Sequence, residues 1–107
     1  MPDRIIVEVD PELLELVPDF IAHKRNDLVT ILDAVSRRDF AAIMRIAHRL
    51  KGEGASYGFD AISTTGRSLE AATASRDTGG ITTLVRELLG YLDRVEIVES
   101  AAATVLH

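Results

Sequence analysis

His48 is the residue whose type and neighbours most clearly suggest chemistry in this sequence. It stands among three basic residues, Arg45, Arg49 and Lys51, although the chain as a whole has a formal net charge of -5. Free imidazole has a pKa of about 6.5, so a ring nitrogen is largely neutral at pH 7 and can attack an acyl phosphate without a separate base. Lys51 and Arg45 could then stabilise the negative charge of a phosphorylated ring, whereas Arg49 lies farther round the helix.

Composition excludes several other kinds of protein. A chain of 107 residues, 47% of them hydrophobic, has the size and apolar content of one domain with one core. The absence of cysteine excludes disulfides and thiolate metal sites and fits a reducing cytoplasm. The net negative charge disfavours nucleic acid as a partner, because phosphate binding needs clustered Lys and Arg. We therefore expect a cytoplasmic protein that binds no nucleic acid.

The sequence also lacks the marks of several specialised segments. No apolar run approaches the roughly 20 residues that a membrane-spanning helix needs, and the N-terminus lacks the regions of a secretory signal. Neither a GxxxxGK[ST] loop nor a GxGxxG turn is present, so we expect no ATP-dependent kinase activity. His23 lies four residues after Asp19, but two side chains are too few for a metal site. We expect no resident metal or cofactor.

Helical periodicity dominates the rest of the chain. Asp10 and Pro11 begin a short helix that Pro18 interrupts, and longer helices are predicted from Pro18 to Val35, from about Phe40 to Tyr57 and from Asp60 to Thr73. A last helix is predicted from apolar residues at intervals of three and four, which are Ile81, Leu84, Val85, Leu88, Leu92, Val95 and Val98. Short connections between long helices favour an all-α fold, an antiparallel up-and-down four-helix bundle with a short additional N-terminal helix.

This prediction divides the single domain into three parts. Residues 1–9 form an N-terminal arm, because residues 5–9 alternate like a strand but have no evident partner. Residues 10–99 form the helical bundle, and residues 100–107 form a tail that we expect to fray.

The helix predicted around His48 turns the histidine away from the core. At about 100° per residue, His48 lies about 130° from the centre of the apolar stripe, so its ring should face solvent. Four residues share its sector of the helix, with Arg45 and Lys51 on opposite flanks: Ala41, Met44, Gly52 and Ala55. We call these four residues and His48 the His48 patch. Its small side chains would let another protein approach the imidazole closely.

The sequence around His48 resembles a known family. Residues 47–58 read AHRLKGEGASYG, which matches the signature of histidine-containing phosphotransfer domains: H-x-L-K-G and a glycine ten residues after the histidine. The matching residues are His48, Leu50, Lys51, Gly52 and Gly58, and the similarity continues through Ile62, Leu69 and Glu70. Glu53 departs from the small polar residue that often follows the first glycine, but the helical wheel points it away from His48.

The resemblance implies a function and a set of partners. Such domains are four-helix bundles of multistep phosphorelays that carry phosphoryl groups between receiver-domain aspartates. His48 would be the phosphoacceptor, Lys51 the neighbouring basic residue and Gly52 the small position that permits docking. The partners would be receiver domains, which supply the Mg²⁺ site, and hybrid sensor histidine kinases. The chain would be a monomeric carrier and not an enzyme. Besides Gly52, we expect four residues to contact a docked partner: Ala41, Met44, Arg49 and Ala55.

Two other classes of function remain open. The same bundle could be a docking module for receivers or other regulators, in which His48 is incidental and never phosphorylated. It could also be half of a dimeric phosphoacceptor bundle, with a separate domain that supplies ATP, because the last helix is apolar enough to pair. Phosphoryl transfer to His48 would exclude the docking module, and size in solution would distinguish the dimer.

Overall fold

Four α-helices make up most of the chain in the computed structural model, which describes residues 3–99. They are α1 (Val17–Ser36), α2 (Phe40–Tyr57), α3 (Asp60–Ala74) and α4 (Thr78–Arg94). Each helix packs against two others, so that α1 contacts α2 and α4, and α3 contacts α2 and α4. The prediction of an all-helical bundle is thus confirmed in its main feature. The short connections favour the antiparallel order, which stays a prediction.

The bounds of α2 follow from the residues that flank it. The Asp39 side chain accepts a hydrogen bond from the Ala42 nitrogen at 3.1 Å, which caps the first turn. Gly58 ends the helix with a φ of 82°, a left-handed conformation that glycine adopts without the steric cost of a side chain. Both ends of the helix that carries His48 are therefore set by local sequence.

The core is a single cluster of apolar side chains contributed by all four helices. Its fully buried members include Leu28 and Ile31 of α1, Ile43 and Leu50 of α2, Ile62 and Leu69 of α3, and Ile81 and Val85 of α4. Within each helix these residues are three, four or seven positions apart, so each helix presents one apolar face to the centre. Because Leu50 faces the core, His48 on the other side of α2 faces outward.

Two strands at the ends of the described chain correct the sequence prediction. Residues Ile5–Val9 form β1, which pairs in parallel with β2, Val95–Glu99. The arm therefore does have a partner, and the last helix stops at Arg94 instead of continuing through Val98. The predicted bundle of residues 10–99 is wrong for its last five residues, because the alternating sequence VEIVE also suits a strand once β1 lies beside it.

The segment before α1 forms a short 3₁₀ helix, Pro11–Leu16, in which Asp10 accepts a hydrogen bond from the Glu12 nitrogen at 2.9 Å. The predicted short N-terminal helix falls on this segment. The predicted tail, residues 100–107, lies outside the described residues. Within residues 3–99, no helix has the length and apolar character needed to span a membrane.

Candidate functional site

His48 projects from the outer side of α2, as the helical wheel predicts. Its side chain is 73% exposed, whereas the neighbouring Ala47 is fully buried. The Nδ1 atom of the ring lies 3.1 Å from Oε2 of Glu70, which comes from α3. One ring nitrogen is therefore engaged by the protein, and the ring remains open to solvent.

Glu70 joins His48 to Lys51. Its second oxygen, Oε1, lies 2.9 Å from Nζ of Lys51. The hydrogen bond from Lys51, followed by the one from His48, holds the pKa of the Glu70 carboxyl below its ordinary value of 4.5. At neutral pH Glu70 is consequently an ionised carboxylate that can only accept hydrogen bonds.

The state of Glu70 decides which nitrogen of His48 carries the proton. Because the carboxylate has no proton to donate, Nδ1 must be the donor in the 3.1 Å contact. In the neutral ring, Nε2 then has no proton and keeps a free lone pair. Nε2 is thus the ring nitrogen whose lone pair is available for reaction.

Small residues bring α3 close enough to α2 for this contact. A β-carbon on Gly66 would lie 2.5 Å from the Lys51 nitrogen, and one on Gly54 would lie 2.5 Å from the Ser63 nitrogen. The hydroxyl of Ser63 also donates a 2.7 Å hydrogen bond to the Lys51 carbonyl. Gly66 thus permits the close approach of the two helices, and Glu70 follows it by one helical turn.

The other members of the His48 patch lie on the accessible side of α2. Ala41, Gly52 and Ala55 are exposed, and Met44 is partly exposed. A β-carbon at Gly52 would meet no atom within 4 Å, so the surface beside the imidazole is open. Arg45 is exposed as well.

Arg49 belongs to a different group of side chains. Its Nη2 atom lies 3.0 Å from Oδ1 of Asp27 on α1. The other Asp27 oxygen lies 2.9 Å from Nζ of Lys24, which is also 2.6 Å from Oε1 of Glu53. Arg49 and Glu53 therefore lie on the side of α2 that faces α1, whereas Lys51 lies toward α3.

Glu70 is the member of the candidate site whose contacts sequence reasoning missed. The family resemblance includes it, but periodicity within one helix could not show that it reaches His48. The available signal was Gly66, a small residue on the same helix whose close packing brings the next turn of α3 beside α2. Within residues 3–99, no three His, Asp or Glu side chains are grouped so that they could hold a metal ion.

Comparison with known proteins gives one informative match. No curated protein and no solved structure matches the chain. A family model described as Hpt domain matches residues 15–97, which is more than half of the chain and includes all four helices. The chain therefore belongs to the Hpt domain family, the histidine-containing phosphotransfer modules of phosphorelay signalling.

Proposed function

We propose that this protein is a phosphorelay carrier that accepts a phosphoryl group on His48 from a receiver aspartate and passes it to another receiver aspartate. The observation that carries the proposal is the contact of His48 Nδ1 with Glu70 at 3.1 Å, on a side chain that is 73% exposed. This contact leaves Nε2 as the free nucleophile on the accessible side of the bundle. Membership of the Hpt family supports the same chemistry.

His48 enters the transfer as the nucleophile, through the lone pair on Nε2. Nε2 attacks the phosphorus of the receiver's aspartyl phosphate, an N–P bond forms, and the P–O bond breaks with its electron pair left on the aspartate carboxylate. The proton on Nδ1 stays in place, and the Glu70 carboxylate offsets the positive charge that the ring develops. In the onward step a second aspartate attacks phosphorus, and the N–P electron pair returns to Nε2.

The basic residues near His48 have different surroundings. Lys51 is bound to Glu70, so it acts on the ring through that carboxylate and helps to keep Glu70 ionised. Arg45 is exposed on the opposite flank of His48 and can turn toward a phosphoryl group on Nε2. We propose that both cations stabilise phospho-His48, Lys51 from the Nδ1 side and Arg45 from the outer side.

The His48 patch is the proposed docking surface for receivers. Ala41, Gly52 and Ala55 leave no bulky side chain around the imidazole, and Met44 adds an apolar contact. A receiver can therefore bring its aspartate into line with Nε2. In this proposal the receiver supplies the aspartate and the Mg²⁺ site, and the phosphoryl group originates from a hybrid sensor kinase, so this chain is a carrier without kinase activity of its own.

Phosphoryl uptake from a phosphorylated receiver tests the proposal. The receiver is mixed with wild type, His48→Gln and His23→Gln in the presence of Mg²⁺, and acid-labile, alkali-stable phosphate is followed. His23 is also an exposed histidine, on α1, so His23→Gln is the matched control. We expect label on wild type and His23→Gln and none on His48→Gln.

The opposite result has a clear meaning. Absence of label on wild type across a full panel of phosphorylated receivers would overturn the carrier function and leave receiver docking without phosphorylation. The proposal also makes the carrier a cytoplasmic monomer. A dimer in solution would contradict that state, because the dimeric phosphoacceptor bundle requires two chains.

A further inference from the structure

Four charged side chains form a closed ring between α1 and α2. Asp27 contacts Arg49 at 3.0 Å and Lys24 at 2.9 Å, and Glu53 contacts Lys24 at 2.6 Å and Arg49 at 3.9 Å. Each cation thus faces both carboxylates. Two positive and two negative charges cancel, so the ring neutralises Arg49 beside His48.

Asp27 is the fixed member of its pair with Arg49. Its side chain is only 15% exposed, and its second oxygen is held by Lys24, which is 3% exposed. Arg49 is 56% exposed and could otherwise swing over the surface. Asp27 therefore holds Arg49 in place, whereas Arg49 is not needed to hold Asp27.

We propose that Asp27 is a specificity-determining residue, which withholds Arg49 from receiver domains by keeping it in an ion pair. This inference rests on the proposed function. Arg49 follows His48 in sequence and lies about 100° round α2, within reach of the edge of a docked receiver. Receiver surfaces around the phosphorylated aspartate are acidic because they bind Mg²⁺, so a free arginine at this edge would attract receivers with little discrimination.

Arg45 provides the contrast on the same helix. It is exposed, and no ion pair joins it to a carboxylate within residues 3–99. Of the two arginines on α2, Arg45 is therefore available to a docking receiver and Arg49 is neutralised. Because fewer unpaired cations lie at the edge of the His48 patch, discrimination among receivers depends more on the shape of that patch.

A double-mutant cycle tests this inference. The second-order rate constant for phosphoryl uptake from several phosphorylated receivers is measured at low and high salt for wild type, Asp27→Asn, Arg49→Ala and the double variant. We expect Asp27→Asn to increase uptake at low salt by about two- to fivefold, the range that one exposed ion pair allows. The increase should be largest for receivers that wild type uses poorly, and should shrink at high salt.

The cycle separates Arg49 from general effects of charge. Arg49→Ala should slow uptake more in the Asp27→Asn background than in wild type, because Asp27 no longer neutralises the arginine there. Asp33→Asn is the matched control, since it removes the same charge from α1 where Asp33 pairs with Arg37 at 2.9 Å, and it should not reproduce the gain. Thermal unfolding checks that each variant is folded.

Each outcome decides the inference. If Arg49→Ala lowers the rate constant for uptake equally in both backgrounds, or if the gain in Asp27→Asn persists without Arg49, the inference is wrong. In either case, uptake by wild type would still support the carrier function. Absence of uptake by wild type would overturn both. If Asp27→Asn fails to fold, Arg49→Ala and Arg45→Ala test the inference by themselves. An Arg49→Ala variant that loses as much of the uptake rate as Arg45→Ala would contradict it, because Arg49 would then not be withheld.

Discussion

Gly66 of α3 lies so close to Lys51 of α2 that a β-carbon on the glycine would stand 2.5 Å from the Lys51 backbone nitrogen. This approach determines how far α3 stands from α2. Glu70, one turn later on α3, reaches both His48 and Lys51 across that short distance. Helix spacing and the chemistry of His48 are therefore linked.

Gly66→Ala should push α2 and α3 apart, because the new methyl group would meet backbone atoms on α2. We expect a loss of about 1–3 kcal/mol in the free energy of unfolding, the usual cost of overpacking, together with slower phosphoryl uptake. Denaturant unfolding measures the first effect. Gly90→Ala is the control, since a β-carbon there meets no atom within 4 Å and should stabilise α4. Equal stability of the two variants would contradict the close-packing argument.

Glu70→Gln should reduce phosphoryl uptake at His48. The amide can either accept from Nδ1 or donate to it, so it no longer selects the ring form with a free Nε2. We expect about a tenfold lower initial rate, the order set by one hydrogen bond to a charged group. Nitrogen NMR of the ring should show a mixture of proton positions. Glu87→Gln removes the same charge from the exposed side of α4 and should retain wild-type uptake. Unchanged uptake in Glu70→Gln would exclude its role in positioning the proton.

Lys51→Met should raise the pKa of Glu70 toward 4.5, because the hydrogen bond from Lys51 is the largest cause of its lowered value. A carboxyl whose pKa is lowered by folding stabilises the folded state above the unfolded pKa and loses that contribution as pH falls through the folded pKa. Below pH 4.5, therefore, the stability difference between wild type and Lys51→Met should shrink. Carbon NMR of the Glu70 carboxyl follows the titration. Arg86→Met, on α4, is the control that removes one positive charge elsewhere. A similar rise of the Glu70 pKa in that variant would contradict the hydrogen bond from Lys51 as its cause.

Gly52→Ala should gain stability and lose function. Glycine inside a helix costs about 0.5–1 kcal/mol relative to alanine, and a β-carbon at position 52 has open space. The added methyl group would stand in the His48 patch and hinder a receiver that approaches the imidazole. Unfolding and transfer measurements on the same variant should thus change in opposite directions. Gly90→Ala should gain stability without slower transfer, and if Gly52→Ala transfers as fast as wild type, position 52 lies outside the docking contact.

The sequence predicts features that depend on local interactions. The third predicted helix, Phe40 to Tyr57, has the bounds of α2 because Asp39 caps it and Gly58 ends it within the same segment. The outward direction of His48 also follows from the spacing of its own helix and is confirmed by its exposure. The local sequence pattern predicts a helix correctly where the N-cap, the apolar periodicity and the terminating residue all lie in one segment.

Features that depend on two distant segments could not be predicted in the same way. The contact of Glu70 with His48 requires the register of α3 against α2, and the contact of Arg49 with Asp27 requires that of α1. Val95 and Val98 fit a helical interval of three, and only the pairing with β1 turns their segment into a strand. Periodicity within one segment contains none of these relationships.

The ladder between β1 and β2 has a consequence for the order of folding. Its partners, such as Ile5 and Val95, come from opposite ends of the described chain, so pairing them early would require the closure of a very long loop. Helices that are neighbours in sequence form their contacts at a much lower entropic cost. We therefore expect the ladder to close last and to open first, while the α2–α3 contacts that support His48 form early and survive its opening.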